Sequence, residues 1–155
     1  KDWERYDVSI YVDPGSIPPE AGISSIDKNI AEDKYRTIKI DLENHAKYID
    51  FGKSICLFHS PPYKTQLDRG DVDGRKIDGV PMDVHLGSIA IYDFIYKYQP
   101  SVTLHGHIHE STRMTGNWKD VIGCTYSFNG AHDGTELCVI TFNPAEPGSA
   151  GRELI

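Results

Sequence analysis

Apolar residues fall in short stretches, and the spacing within each stretch predicts an element. Ile38, Leu42 and Ile49 share a face at helical spacing, with Ala46 filling the stripe, so a helix is expected over 37–49. Asp41, Glu43 and Lys47 then lie outside, with His45 on the solvated side, and Gly52 stops the element. Ser54-Ile55-Cys56-Leu57-Phe58 is a continuous apolar run bounded by Gly52 and Pro61-Pro62. Its length and branching predict a strand buried on both faces. Ser88 can cap a helix that runs to Pro100. Ile91, Ile95 and Tyr98 form one stripe of it and Ile89, Tyr92 and Tyr96 the neighbouring one, both read as packing surface. Val102 to His105 is the next buried strand. Val121 to Phe128 alternates in part, with Ile122, Cys124, Tyr126 and Phe128 on one face. The apolar run Leu137 to Phe142 is its expected hairpin partner, across the turn formers Asn129-Gly130 and Asp133-Gly134. Pro144, Pro147 and Gly148 open a loose tail.

The polar stretches are of two kinds. Residues 1–33 carry Pro14, Pro18, Pro19, Gly15 and Gly22 and read as an irregular, flap- or lid-like segment, with one short strand from Tyr6 to Val12. A loop of this length in a compact domain calls for an explanation, either something outside this chain or a functional role. Tyr63 to Gly87 is rich in Gly and Asp and reads as an exposed loop; no Glu stands where an EF-hand would need one. Alternation of strand and helix places the chain in the α/β class.

Composition narrows the class of function. At 155 residues the chain is expected to be a single domain over 1–155, and its 39% apolar and 25% charged content suits a globular protein. No apolar run is long enough to span a membrane, and Lys1 to Arg5 has no signal-peptide character. The chain has no initiator Met, for which a removed leader, a cleaved tag or a truncation would account. Cys56, Cys124 and Cys138 sit in apolar runs without a C-x-x-C pair, so buried, reduced thiols and a cytoplasmic location are expected. A net charge of −7 offers no basic face to nucleic acid. It leaves phosphate chemistry open, because bound cations reverse the local field.

The candidate chemistry is histidine. In Gly106-His107-Ile108-His109 an extended backbone puts both imidazoles on one side and Ile108 on the other, with Gly106 as the place to bend. Alone, an H-x-H pattern is more often a pair of surface histidines than a metal clamp. His59, however, ends the first predicted strand as His107 and His109 follow the second. Strand carboxyl ends are where open α/β sheets place their sites.

With these residues in view, Phe58-His59-Ser60-Pro61-Pro62-Tyr63, Gly87-Ser88 opening a helix, Gln99-Pro100 and His105-Gly106-His107-Ile108-His109-Glu110-Ser111 together resemble the calcineurin-like metallophosphoesterase superfamily, over roughly 54–142. The resemblance implies a four-layer α/β/β/α sandwich and two divalent metal ions of the Mn, Fe or Zn type. It implies that His59 and His107 ligate one metal and His109 the other, and that the reaction is hydrolysis of a phosphoester. The family's earlier motifs, D-x-H, G-D-x-x-D and G-N-H or G-N-D, do not occur ahead of His59. Asp83-Val84-His85 follows His59 instead, where His85 reads as a loop feature facing substrate. The acidic ligands and the general acid are therefore absent, and no catalytic residue is identified. The chain reads as the C-terminal portion of such a domain, its other half upstream or in another chain. Its strands would then show apolar edges where partners are missing. A catalytically inactive binding or scaffold protein that keeps the fold is the alternative. A cupin-like barrel fits less well, because Glu110 follows His109 directly.

Overall fold

The computed structural model describes residues 11–12, 24–25 and 38–155. The chain forms two compact units, Lys1–Ile49 and Asp50–Ile155. In the first, β1 (Tyr11–Val12) pairs in parallel with β2 (Ser24–Ser25), and α1 (Ile38–His45) runs on into a 3-10 turn over Ala46–Tyr48. The helix expected over 37–49 is present, but its apolar stripe is not a buried one. Ala46 is buried, Ile38 and Leu42 are half-covered and Ile49 is exposed. His45 is exposed as expected, its Nδ1 2.7 Å from the Asp41 carbonyl oxygen. The rest of the flap-like segment over 1–33 lies outside the described residues.

The second unit is built on a four-stranded sheet in the order β3 (Ile55–Leu57), β6 (Val102–His105), β8 (Thr125–Asn129), β7 (Lys119–Ile122). β3, β6 and β8 are parallel and β7 is antiparallel to β8. Between β3 and β6 the chain crosses over through α2 (Ile89–Tyr98). Ser88 caps α2 as predicted, its Oγ accepting from the Ile91 amide at 3.1 Å. Gln99 closes it in the left-handed conformation ahead of Pro100.

Two layers cover this sheet. On one face α2 packs through Phe94, which meets Phe51 and Phe58 edge-on at 5.1 and 5.7 Å. On the other, Val102, Leu104, Tyr126 and Phe128 meet Ile140, Phe142 and Ala150. Those three come from a second sheet, β9 (Cys138–Asn143) paired antiparallel with β10 (Glu146–Leu154). The architecture is mixed α/β, as expected.

Several expectations are corrected. β3 is not buried on both faces. It is an edge strand whose Ile55 and Leu57 are 49% and 80% exposed. Their register with Val102 and Leu104 puts them on the face the second sheet covers further in, and that cover stops short of them. The stretch 121–128 is broken by a tight turn at Gly123-Cys124, with Gly123 at φ +62, so β7 and β8 are each other's hairpin partners. The run from Leu137 pairs instead with the presumed tail, which is strand β10. On α2 the second inward stripe is Ala90 and Phe94; Ile89 and Tyr96 face solvent.

The polar stretch 63–87 is not simply an exposed loop. Leu67, Asp68 and Val72 are buried, and β4 (Lys76–Ile77) and β5 (Val80–Pro81) form a hairpin across Asp78-Gly79, both at positive φ. The cysteines carry free thiols, but Cys124 is exposed in its turn and Cys56 and Cys138 are only half-covered. Partial burial pushes the Cys56 thiol pKa up, which disfavours the reactive thiolate.

Candidate functional site

Backbone hydrogen bonds continue past the ends of the parallel strands and lace their exits together. The Phe58 amide donates to the Leu104 carbonyl at 2.9 Å, Gly106 to His59 at 3.1 Å, and Gly130 to His105 at 2.9 Å. Three chain exits are thereby held side by side at the carboxyl end of the sheet. His59 leaves β3, the Gly106–His109 loop leaves β6, and the 130–137 loop leaves β8.

His107 and His109 do face the same cleft, though not by strand alternation. β6 ends at His105, and His107 sits at φ +70. The Ile108 amide donates back to the Gly106 carbonyl at 2.9 Å, which makes a three-residue turn with His107 at its centre. The bend expected at Gly106 thus falls on His107, a conformation L side chains occupy at a cost. The turn buries Ile108 and turns both imidazoles to the cleft, His109 exposed and His107 half-buried.

The cleft has a volume of about 750 Å³. His59, His107 and His109, the predicted ligands, all line it. The His59 and His107 rings are in contact, with centroids 4.5 Å apart. Partial burial, with the neighbouring His59 and His109 imidazoles, holds the His107 pKa below its ordinary value. Neutral imidazole is the form that binds a metal.

Behind this cluster His105 is buried, its Nδ1 2.9 Å from the Ser60 carbonyl oxygen and its Nε2 2.7 Å from Thr103 Oγ1. The Nδ1–H donates to the carbonyl, so Nε2 accepts from the Thr103 hydroxyl, which in turn lies 2.8 Å from Ser127 Oγ. Burial lowers the His105 pKa to about 4 and keeps the ring neutral.

The cleft also holds a charged and an imidazole side chain that lie outside the expected site residues. His132 and Glu136 line it from the loop after β8, with His132 Nε2 3.1 Å from Glu136 Oε2. The rule that points to His59 and His107 applies equally to a third parallel strand, but the turn formers of 129–134 give this segment the pattern of a hairpin turn. Leu57, Leu137 and Ala131 give the same cleft an apolar component.

His85 does not line this cleft. Its Nδ1 is 2.8 Å from Oδ1 of Asp68, a fully buried carboxylate. Asp68 also accepts from the amides of Lys64, Thr65 and Gly87 at 2.8, 3.1 and 3.2 Å. That arrangement fastens the 63–87 segment to the start of α2. Among the described residues, no group of three or more His, Cys, Asp or Glu side chains is placed to hold a metal ion by itself.

No family model matches the chain, and no curated protein matches it. One solved structure superposes on 77% of the chain with a TM-score of 0.53 and 18% identity. The match spans 40% of that structure's own chain, and at this identity the likeness is one of fold alone.

Proposed function

We propose that this chain supplies the histidine ligands of a two-metal centre that hydrolyses phosphoesters. The observation that carries the reading is the convergence of His59, His107 and His109, from the exits of two neighbouring parallel strands, on one open cleft. Imidazole donors suit zinc, iron and related transition metals. By the motif resemblance His59 and His107 would hold one ion and His109 the other. Divalent cations bound there would supply charge stabilisation for the phosphoryl oxygens and an activated water.

The chain's own residues do the rest. The His107 pKa is lowered, which favours the ligand form. The His105 chain fixes the floor beneath the cluster. His132, Glu136 and Leu137 remain to meet the parts of the ester that the ions do not. Three imidazoles are too few for two tightly held ions, so the acidic ligands come from elsewhere, upstream or in another polypeptide. The same portion would pair with the exposed edge of β3 and complete an α/β/β/α sandwich. Free cysteines fit a reducing compartment such as the cytoplasm.

The test uses the full-length protein that carries this chain, loaded with Mn²⁺ and given p-nitrophenyl phosphate and its diester. His59→Ala, His107→Ala and His109→Ala should each lower turnover by about a hundredfold or more, as expected for loss of ligands that position the reaction. His45→Ala, on the exposed helix of the other unit, should change it little. Equal losses from all four would mean folding damage and remove the site assignment. Wild-type protein that binds metal and hydrolyses neither ester would favour the scaffold alternative.

A further inference from the structure

Asn129, the last residue of β8, is fully buried, and its side-chain amide reaches three separate segments. Its Nδ2 lies 3.3 Å from the Ile108 carbonyl oxygen, 3.3 Å from the Leu67 carbonyl oxygen and 2.7 Å from Ser111 Oγ. Its Oδ1 accepts from the Ala131 amide at 2.8 Å. Ile108 is the residue between His107 and His109. Ala131 immediately precedes His132. Ser111 is fully buried and opens α3 (Ser111–Thr115), the helix on which the histidine loop ends.

One planar amide therefore ties together the loop of His107 and His109, the loop of His132 and Glu136, and the buried start of the 63–87 segment. A buried amide has little freedom to trade these partners, because each one lost leaves a polar group unsatisfied. The loop it holds also carries His107 at positive φ, a conformation that persists only where the surroundings over-determine it.

We infer that Asn129 is a positioning residue for this site: it holds the His107–His109 turn and the His132 loop in the mutual geometry that metal and phosphoester require. The inference rests on the metal-centre reading above. Asn129 itself is buried and does not line the cleft. Among the described residues it joins the two loops through a single side chain, so its loss should loosen both at once.

The experiment titrates Co²⁺ alone into the full-length protein and follows the d–d absorption bands, whose intensity reports coordination number. Asn129→Asp keeps the Oδ1 acceptor for Ala131 and removes the donors to Ile108, Leu67 and Ser111. At a temperature where it is as folded as wild type by circular dichroism, it should bind Co²⁺ about tenfold or more weakly, with an altered band. Ser111→Ala removes one of the three acceptors and should give a smaller shift in the same direction. It decides the matter if Asn129→Asp does not fold: weakened binding supports the inference and wild-type binding overturns it. Folded Asn129→Asp with wild-type affinity and spectrum overturns it too, while leaving the metal reading intact. If His107→Ala leaves Co²⁺ binding unchanged, the metal reading itself falls, and this inference with it.

Discussion

At the scale of the residue, His107 combines a ligand's side chain with a backbone that suits glycine. Its φ of +70 costs on the order of 1–3 kcal/mol for a residue with a Cβ. His107→Gly should therefore be more stable than His107→Ala by about 1 kcal/mol in urea unfolding, although both lose the imidazole. Equal stabilities would mean that the turn is not strained. His105 makes a prediction about pH. Its pKa is about 4 in the folded chain against an ordinary 6.5, so the unfolded chain binds more protons between those values. Stability from this residue is full above the unfolded value and falls as pH drops through the window, by about 3 kcal/mol in all. Urea titrations across that range should show the slope, and His105→Gln should flatten it. A wild-type profile no steeper than that of the variant would contradict the burial of a neutral imidazole.

At the scale of the element, the 63–87 segment shows how a stretch that reads as loop becomes part of the framework. Asp68 is buried with three amides and an imidazole directed at it. Asp68→Ala leaves these donors without an acceptor and should cost about 3 kcal/mol or more. Asp73→Ala removes a carboxylate 2.7 Å from Arg69 at the exposed surface and should cost less than about 1 kcal/mol. Chemical denaturation of the two variants measures the difference; equal costs would show that the Asp68 clasp is not structural.

At the scale of the whole molecule, the sheet is covered by α2 on one face and by β9–β10 on the other, yet β3 stands open. Leu57→Lys in the 155-residue chain should change stability by no more than about 0.5 kcal/mol, because that side chain is largely exposed. In the full-length protein, if the proposed partner strands lie over β3, the same change should cost about 2 kcal/mol or more by burying a charge. The same small effect in both would leave β3 as a true outer edge and withdraw the completed sandwich.

What the order of residues determined by itself is local. Apolar runs of the right length placed β3, α2 and β6, Ser88 and Pro100 marked the ends of α2, and histidines at two strand exits marked the cleft. These features depend on backbone sterics and on spacing along the chain, which a sequence displays directly. The pairing of strands was decided only in three dimensions. Whether β8 joins β7, β6 or β9 depends on which faces bury together, and an apolar run fits more than one partner. The Asp78-Gly79 pair is a turn signal in the sequence, but the polar residues around it give no strand pattern to flank it. His132 and Asn129 belong to the site because β8 lies parallel beside β6. The positive φ of His107 belongs to a local turn that its residue types do not mark, while the buried clasp of Asp68 and the neutral state of His105 rest on contacts with residues distant in the chain, and no local pattern records those.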